Sequence, residues 1–222
     1  MIVRVLCWNV HGFRAGVGEA TDVVTKLAPD VLLLQETGPR GSLAGFVSAL
    51  DLRVSVDPAA AFRRRVCNAV AARKPWTIEA THHVRFPAGS WWHPRGAAVA
   101  DLGLGPARLR VISTHLGLDP VERNRHARDL LVEVDRYNGP SVVGGDLNAH
   151  PHQYAAVLLA ERLHDAWEPA IGTGHTYPAG SPEARIDYVF VTGQLTVRDT
   201  DVIETDASDH LPILAELELH AG

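Results

Sequence analysis

The sequence predicts an α/β protein: a mixed-sheet sandwich with helices on the outside. Apolar segments of strand length outnumber helical ones, the helical ones are dispersed among them, and no repeat or low-complexity linker divides the chain. With 222 residues and 46% apolar side chains, the chain suffices for one large buried core and is short for two, so we read residues 1–222 as a single domain.

Taken in order, Val3–Val10 reads as a strand, because its Val, Leu and Trp side chains suit a pleated, half-buried surface. Glu19–Leu27 reads as a short helix stopped by Ala28–Pro29, since proline disfavours helix at the residue before it. Val31–Gln35 is a near-continuous apolar run, the pattern of a strand buried on both faces. Val66–Ala72, Trp76–Val84, Gly96–Leu102 and Arg108–Thr114 follow as four strands. The turn residues Lys74–Pro75 and Gly103 to Pro106 predict that these strands form one antiparallel run. Pro120–Tyr137 is the clearest helix, with proline in its first turn, Val121, Leu130, Leu131 and Val134 as inner residues, and Asn138–Gly139–Pro140 as its stop. Ser141–Gly145 is another buried strand and Gln153–Leu159 a short helix. Ile186–Thr192, Thr196–Val202 and Leu211–Leu217 close the chain as strands.

The 21 Lys and Arg against 26 Asp and Glu give −5 with neutral histidine, which excludes a globally basic nucleic-acid coat protein but leaves room for a local basic groove. At 21% charged and 46% apolar, the composition also excludes disorder. Only Lys26 and Lys74 are lysines; the arginine excess suits bidentate phosphate recognition, although a GC-rich coding bias produces the same count. Cys7 and Cys67 make no disulfide framework and are expected as free thiols on buried strands. The N-terminus has no long apolar segment after a basic one, and no apolar run, Val31–Leu34 included, approaches the roughly 20 residues of a membrane span. We therefore expect a soluble, cytoplasmic protein with no stable membrane association.

The polar residues carry the chemistry. Strands end or begin abruptly in Trp8–Asn9, Gln35–Glu36, Thr114–His115, Gly145–Asp146–Leu147–Asn148 and Ser208–Asp209–His210. Asp187 is embedded in the apolar strand Ile186–Phe190, where a carboxylate is costly unless a cation, a metal or several donors pair with it. Strand ends on one sheet edge converge, so these residues can share a site. Their oxygens are hard donors suited to Mg²⁺ or Mn²⁺, and no close Cys/His pairing marks a structural zinc site. Carboxylates and imidazoles around a hard cation suit phosphate-ester hydrolysis. Blander readings exist for single residues: Asn9 can cap a turn, Glu36 can be a surface acid, and Asn68 can satisfy backbone. Ten histidines, His11 and His126 among them, carry no motif and are expected to be mostly solvated.

Seven segments in order resemble the endonuclease/exonuclease/phosphatase superfamily with the DNase-I-like fold. They are Trp8–Asn9–Val10, Leu34–Gln35–Glu36, Cys67–Asn68–Ala69–Val70, Ser113–Thr114–His115–Leu116, Gly145–Asp146–Leu147–Asn148, Arg185–Ile186–Asp187–Tyr188 and Ser208–Asp209–His210–Leu211–Pro212. The resemblance implies a four-layer α/β sandwich, with two mixed or antiparallel sheets packed face to face and helices outside. It implies Mg²⁺ or Mn²⁺ held by Asn9, Glu36 and Asp209. Asp146 and Asn148 would position the attacking water and the scissile phosphate. His210, oriented by Asp187, would contact the phosphoryl oxygen or transfer a proton, and His115 would be a candidate acid for the leaving oxygen. Asn68 and Arg95 would contact the substrate phosphate. Whether Asp146 or His210 is the base stays open.

The Thr-His-Leu form of the third motif is similar to the DNase I, sphingomyelinase, inositol-phosphatase and nocturnin-like branches, not to abasic-site endonucleases. A glutamate that supports the first histidine in DNase I relatives is replaced here by Ala72, so His115 is expected to be less strongly oriented or to lean on another acid. Arg63–Arg64–Arg65 and the loop Ser90–Arg95 are candidate borders of the substrate site, where arginines beside stacking aromatics suit a nucleotide or single-stranded nucleic acid. The expected function is a metal-dependent phosphodiesterase or nuclease, acting as a monomer on a phosphodiester, with nucleic acid or nucleotide as candidate substrates. The alternatives are a phospholipid or inositol-phosphate hydrolase and a catalytically inactive binding module.

Overall fold

The computed structural model describes residues 1–56, 67–87, 95–168 and 171–220. The first half runs β1 (Ile2–Asn9), a 3₁₀ turn (His11–Phe13), α1 (Val17–Leu27), β2 (Val31–Gln35), α2 (Arg40–Ala49), β3 (Arg53–Val56), β4 (Ala69–Ala72) and β5 (Thr77–Arg85). The second half runs β6 (Gly96–Leu104), β7 (Ala107–His115), α3 (Pro120–Asp135), β8 (Ser141–Asp146), α4 (Tyr154–Ala160), β9 (His164–Asp165), β10 (Asp187–Val191), β11 (Leu195–Val202) and β12 (Ile213–Leu219).

Two six-stranded sheets result, ordered β11-β12-β1-β2-β4-β3 and β5-β6-β7-β8-β10-β9. Each holds one parallel pair, β1–β2 and β7–β8, and its other pairs are antiparallel. A parallel pair needs a crossover, and α1 and α3 supply the two. The period-two alternation of the strands sorts side chains into layers. Val5, Cys7 and Leu33 face the second sheet's Val111, Val142 and Val189. Leu6, Trp8, Leu32 and Leu34 face outward, under Val24 of α1 and Phe46 of α2. On the other side Ile112, Val143 and Phe190 lie beneath Leu130 of α3 and Leu159 of α4. The architecture is the expected four-layer sandwich.

β2 packs directly on β7 and β8. A buried polar tie also joins the sheets: Gln35 Nε2 donates to Ser113 Oγ at 3.0 Å, and Ser113 Oγ donates to the Leu34 carbonyl at 2.8 Å. The carboxyl ends of both parallel pairs therefore meet, which fixes where the polar strand ends collect.

The expected four-strand antiparallel run is corrected to three. β4 pairs with β2 and β3 in the first sheet, and only β5, β6 and β7 form the run. The turn at Lys74–Pro75 carries the chain from one sheet to the other, with Trp76 N–H bonded to the Arg73 carbonyl at 3.0 Å. Val66, the expected start of that strand, lies outside the described residues. Cys7 and Cys67 are both buried and form no disulfide among the described residues; Cys7 is on β1 as expected, whereas Cys67 lies in the segment before β4. Among the described residues no helix is long and apolar enough to cross a membrane.

Candidate active site

β1 ends at Asn9, β2 at Gln35 with Glu36 next, β7 at His115 and β8 at Asp146. In register, Asn9 pairs with Gln35, His115 with Asp146, and Asp146 with Asp187 across β10. His210 enters from the loop before β12, where its carbonyl accepts the Trp8 indole N–H at 2.9 Å. A cleft of about 660 Å³ opens over this floor, and its lining includes Glu36, Arg95, His115, Asp146, Asn148, Asp209 and His210.

Asp187 is 1% exposed and has its expected partner: Oδ2 lies 2.8 Å from His210 Nδ1 and accepts the Thr176 hydroxyl at 2.6 Å. Asp187 Oδ1 has no hydrogen-bond partner among the described residues. Burial alone opposes a charged imidazole, but Asp187, reinforced by Asp146 and Asp209, raises the pKa of His210 to about 10. With Nδ1 committed, His210 presents Nε2 toward the cleft, 3.8 Å from Asp146 Oδ2.

Asp146 is fully enclosed as well. Its Oδ1 accepts the Asn148 backbone N–H at 2.9 Å, while Oδ2 lies 3.1 Å from Asn9 Nδ2 and 3.3 Å from His115 Nε2. Burial and the charge of Asp187 raise its carboxyl to about 7, against the opposing pull of His210, Asn148 and Asn9. Asn148 Nδ2 donates to the Leu116 carbonyl at 3.1 Å and lies 3.0 Å from His115 Nε2. Burial, with Arg95 and His210 nearby, lowers the His115 pKa well below its ordinary value, so this ring is neutral. Its Nδ1 has no partner among the described residues. The acid beside His115 is therefore Asp146, at Nε2, while Ala72 pairs with Val31 at the end of β2 away from the site.

Asn9 spaces the carboxylates, its Nδ2 lying 3.4 Å from Glu36 Oε1 as well as beside Asp146, while its Oδ1 accepts the His11 backbone N–H at 3.1 Å. Asp209 Oδ1 sits 3.2 Å from His11 Nδ1. Asp146, Asp187 and His210 offer ligand atoms within 4.8 Å of one another, yet Asp187 Oδ2 and His210 Nδ1 are spent on each other. The carboxylates lining the cleft beside the Asp187–His210 pair are Glu36, Asp146 and Asp209, with Asp119 and Glu122 lining it at the start of α3. Such an all-oxygen set fits a hard divalent cation, and the lifted pKa of Asp146 marks a buried acid short of positive charge.

Arg95 lines the cleft, and its Nη1 is buried with no partner among the described residues. Asn68 lies behind that wall, its Nδ2 donating to the Gly96 carbonyl at 2.8 Å, and it is not among the lining residues. Arg63–Arg65 and Ser90–Pro94 lie outside the described residues. Three contributors had no signal in the sequence. Thr176 braces Asp187, Tyr177 rests its ring 4.7 Å from that of His210, and His11 joins Asp209. The first two belong to an irregular loop with no periodicity. His11 had only its place two residues after Asn9, and it lines the cleft where a solvated side chain was expected.

A family model described as Endonuclease/Exonuclease/phosphatase family matches residues 6–210. A UPF0294 protein of Klebsiella pneumoniae (strain 342) is 27% identical over 232 residues, covering 96% of this chain and 81% of that protein. A Bacteroides thetaiotaomicron mannosyl-6-phosphatase superposes with a TM-score of 0.84 at 17% identity, covering 98% of this chain and 100% of that one. D. rerio TDP2, complexed with single strand DNA product, superposes with a TM-score of 0.82 at 17% identity, covering 98% of this chain and 99% of that one. At such identities the two structures establish the shared fold.

Proposed function

The chain belongs to the Endonuclease/Exonuclease/phosphatase family, and on that premise we propose that it is a divalent-metal-dependent phosphodiester hydrolase in which water attacks phosphorus in line with the leaving oxygen. The observation that carries this reading is the Asp187–His210 pair, 2.8 Å apart, directed at Asp146 in a cleft that also holds Glu36, Asp209 and Arg95.

Glu36 and Asp209, with Asn9 beside them, would hold Mg²⁺ or Mn²⁺, which supplies Lewis-acid neutralisation of charge on the phosphoryl group. The remaining work falls to the chain. Asp187 fixes His210 through Nδ1, so Nε2 is free to meet a phosphoryl oxygen or pass a proton. Asp146, held by the Asn148 amide and Asn9, is the carboxylate placed to orient water. His115, neutral and anchored near Asn148, contributes hydrogen bonding in place of charge. Arg95 brings a guanidinium to the phosphate.

A diester is favoured over a monoester by charge. The described lining holds two cations, Arg95 and the protonated His210, against the carboxyl groups of Glu36, Asp119, Glu122, Asp146 and Asp209. A dianionic monoester meets more repulsion there than a monoanionic diester. The test is a panel of bis-p-nitrophenyl phosphate, p-nitrophenyl phosphate, single-stranded DNA and phospholipid vesicles, each with Mg²⁺ or Mn²⁺. We expect diester cleavage at least about tenfold faster than monoester cleavage. Preference for the monoester, or cleavage of no member, rejects the reading.

A further inference from the structure

His126 is fully buried on α3, although its neighbours Glu122, Arg123, Asn124 and Arg125 are polar and no motif contains it. Its Nδ1 accepts the backbone N–H of Gly117 at 3.3 Å, which only a ring nitrogen without a proton can do. The proton therefore sits on Nε2, which donates to the Pro87 carbonyl at 3.1 Å. Phe86 stacks on the same ring, centroids 4.9 Å apart at 21°, and its backbone N–H donates to the Arg95 carbonyl at 3.0 Å. Gly117 and Arg95 both line the cleft. Three residues earlier on α3, Arg123 Nη1 donates to the Leu118 carbonyl at 2.8 Å and steadies the same wall.

We propose that His126 is a positioning residue that fastens the two facing walls of the cleft, one carrying Arg95 and the other running from His115 through Gly117. This rests on the phosphodiesterase reading only for its kinetic consequence. The ring acts on the substrate through others: Pro87 and Phe86 set where Arg95, the residue before β6, lies, and Gly117 sets the segment just past His115. A neutral ring is required, because a proton on Nδ1 would face the Gly117 N–H donor. Burial lowers the His126 pKa, and the charged groups acting on it oppose one another: Glu122 and Asp129 on α3 favour the charged form, Arg95 across the cleft the neutral one. Removal of the ring leaves the N–H of the buried Gly117 without its acceptor and the Pro87 carbonyl without its donor, on opposite walls.

The experiment compares the unmutated chain with His126→Gln, which keeps one donor and one acceptor, and His126→Leu, which keeps neither. The tautomer is read by ¹⁵N NMR of the imidazole at pH 7, without turnover. KM and kcat are then read for bis-p-nitrophenyl phosphate with Mg²⁺. The expected spectrum is that of a neutral Nε2–H ring. The leucine variant is expected to raise KM roughly tenfold with kcat changed less than about threefold, and the glutamine variant to restore KM to within about threefold. An imidazolium or Nδ1–H ring overturns the proposal, as does an unchanged KM in the leucine variant or a glutamine variant no better than leucine. If the leucine variant does not fold, the tautomer of the unmutated chain decides. A chain with no diesterase activity would reject the reading of the preceding subsection, and the NMR result would still decide this one.

Discussion

Asp187 Oδ2 and His210 Nδ1 stand 2.8 Å apart, joining the first residue of β10 to the loop before β12 with Thr176 as a second donor at 2.6 Å. This contact resolves the cost of a carboxylate in an apolar strand, because the partner that stabilises Asp187 is also the ring it aims.

Replacing Asp187 with Asn tests that coupling. Asp187 is the main group raising His210 to about 10, so Asp187→Asn should bring the His210 titration down toward the ordinary range. Diesterase kcat/KM should fall by about a hundredfold or more, as expected when the group orienting a catalytic imidazole is lost. NMR titration of the ring checks the first effect and kinetics the second. An unmoved titration would break the link.

The pH dependence follows from two groups that hold protons more tightly in the folded chain. Asp146 moves from 3.8 to about 7 and His210 from 6.5 to about 10. A raised folded pKa favours folding below the unfolded value, and that contribution is lost as pH climbs through the folded value. The cation-free chain should therefore lose stability from pH 3.8 toward about 7 through Asp146, and from 6.5 toward about 10 through His210. A divalent cation competes with those protons. The rise in Tm produced by Mg²⁺ over EDTA should thus be larger at about pH 8 than at about pH 5. Thermal denaturation at both values checks this, and a larger gain at the lower pH would be the wrong sign.

Glu36 occupies the left-handed region at φ 48°, as do His11 at 45° and Asn148 at 50°, and all three line the cleft. Such a conformation costs a non-glycine residue about 1–2 kcal/mol and persists where surrounding structure enforces it. Glu36→Gly should leave cation-free stability within about 1 kcal/mol, because relief of strain offsets the entropy of the unfolded chain. The same change should abolish the Mg²⁺-dependent rise in Tm. Retention of that rise would remove Glu36 from the metal site.

Gly144 and Gly145 differ in what a side chain would strike. A Cβ on Gly144 would meet Leu33 Cδ1 at 2.7 Å and Cys7 Sγ at 3.1 Å, between the sheets, where side chains can shift somewhat. A Cβ on Gly145 would lie far inside contact distance of the Thr114 backbone carbonyl, which the β7–β8 pairing fixes. Gly144→Ala should cost about 1–3 kcal/mol, the usual cost of overpacking. Gly145→Ala should cost more and also displace Asp146. Chemical denaturation ranks the two, and the reverse order would contradict this packing.

The strands and most of the site were legible for one reason: a polar group that closes an apolar strand is unusual enough to stand out. Asn9, Glu36, His115 and Asp146 all announced themselves this way. The missing elements had no such contrast. α2 contains Gly41, Gly45, Ser42 and Ser48, poor helix formers, and its Pro39 N-cap makes no side-chain hydrogen bond. It is held instead by burial of Leu43 and Phe46, with Phe13 5.1 Å from Phe46, a tertiary effect. β3 has only four residues, two of them exposed. The assignment of β4 to the first sheet was hidden because a turn that reverses within a sheet and one that crosses between sheets have similar sequences. His126 was misjudged because α3 buries Arg123, His126 and Glu133 beside its apolar residues, so polarity did not report exposure.

The residues around Asp146 and His210 are proposed to form a metal-dependent phosphodiesterase centre. Its most direct test is the rate of bis-p-nitrophenyl phosphate hydrolysis by the purified chain with Mg²⁺ or Mn²⁺, with EDTA, and in Asp146→Ala and His210→Ala. We predict cleavage that EDTA abolishes and that each variant lowers by at least about a hundredfold while still folding. Cleavage that survives EDTA, or that both variants retain, would contradict the claim.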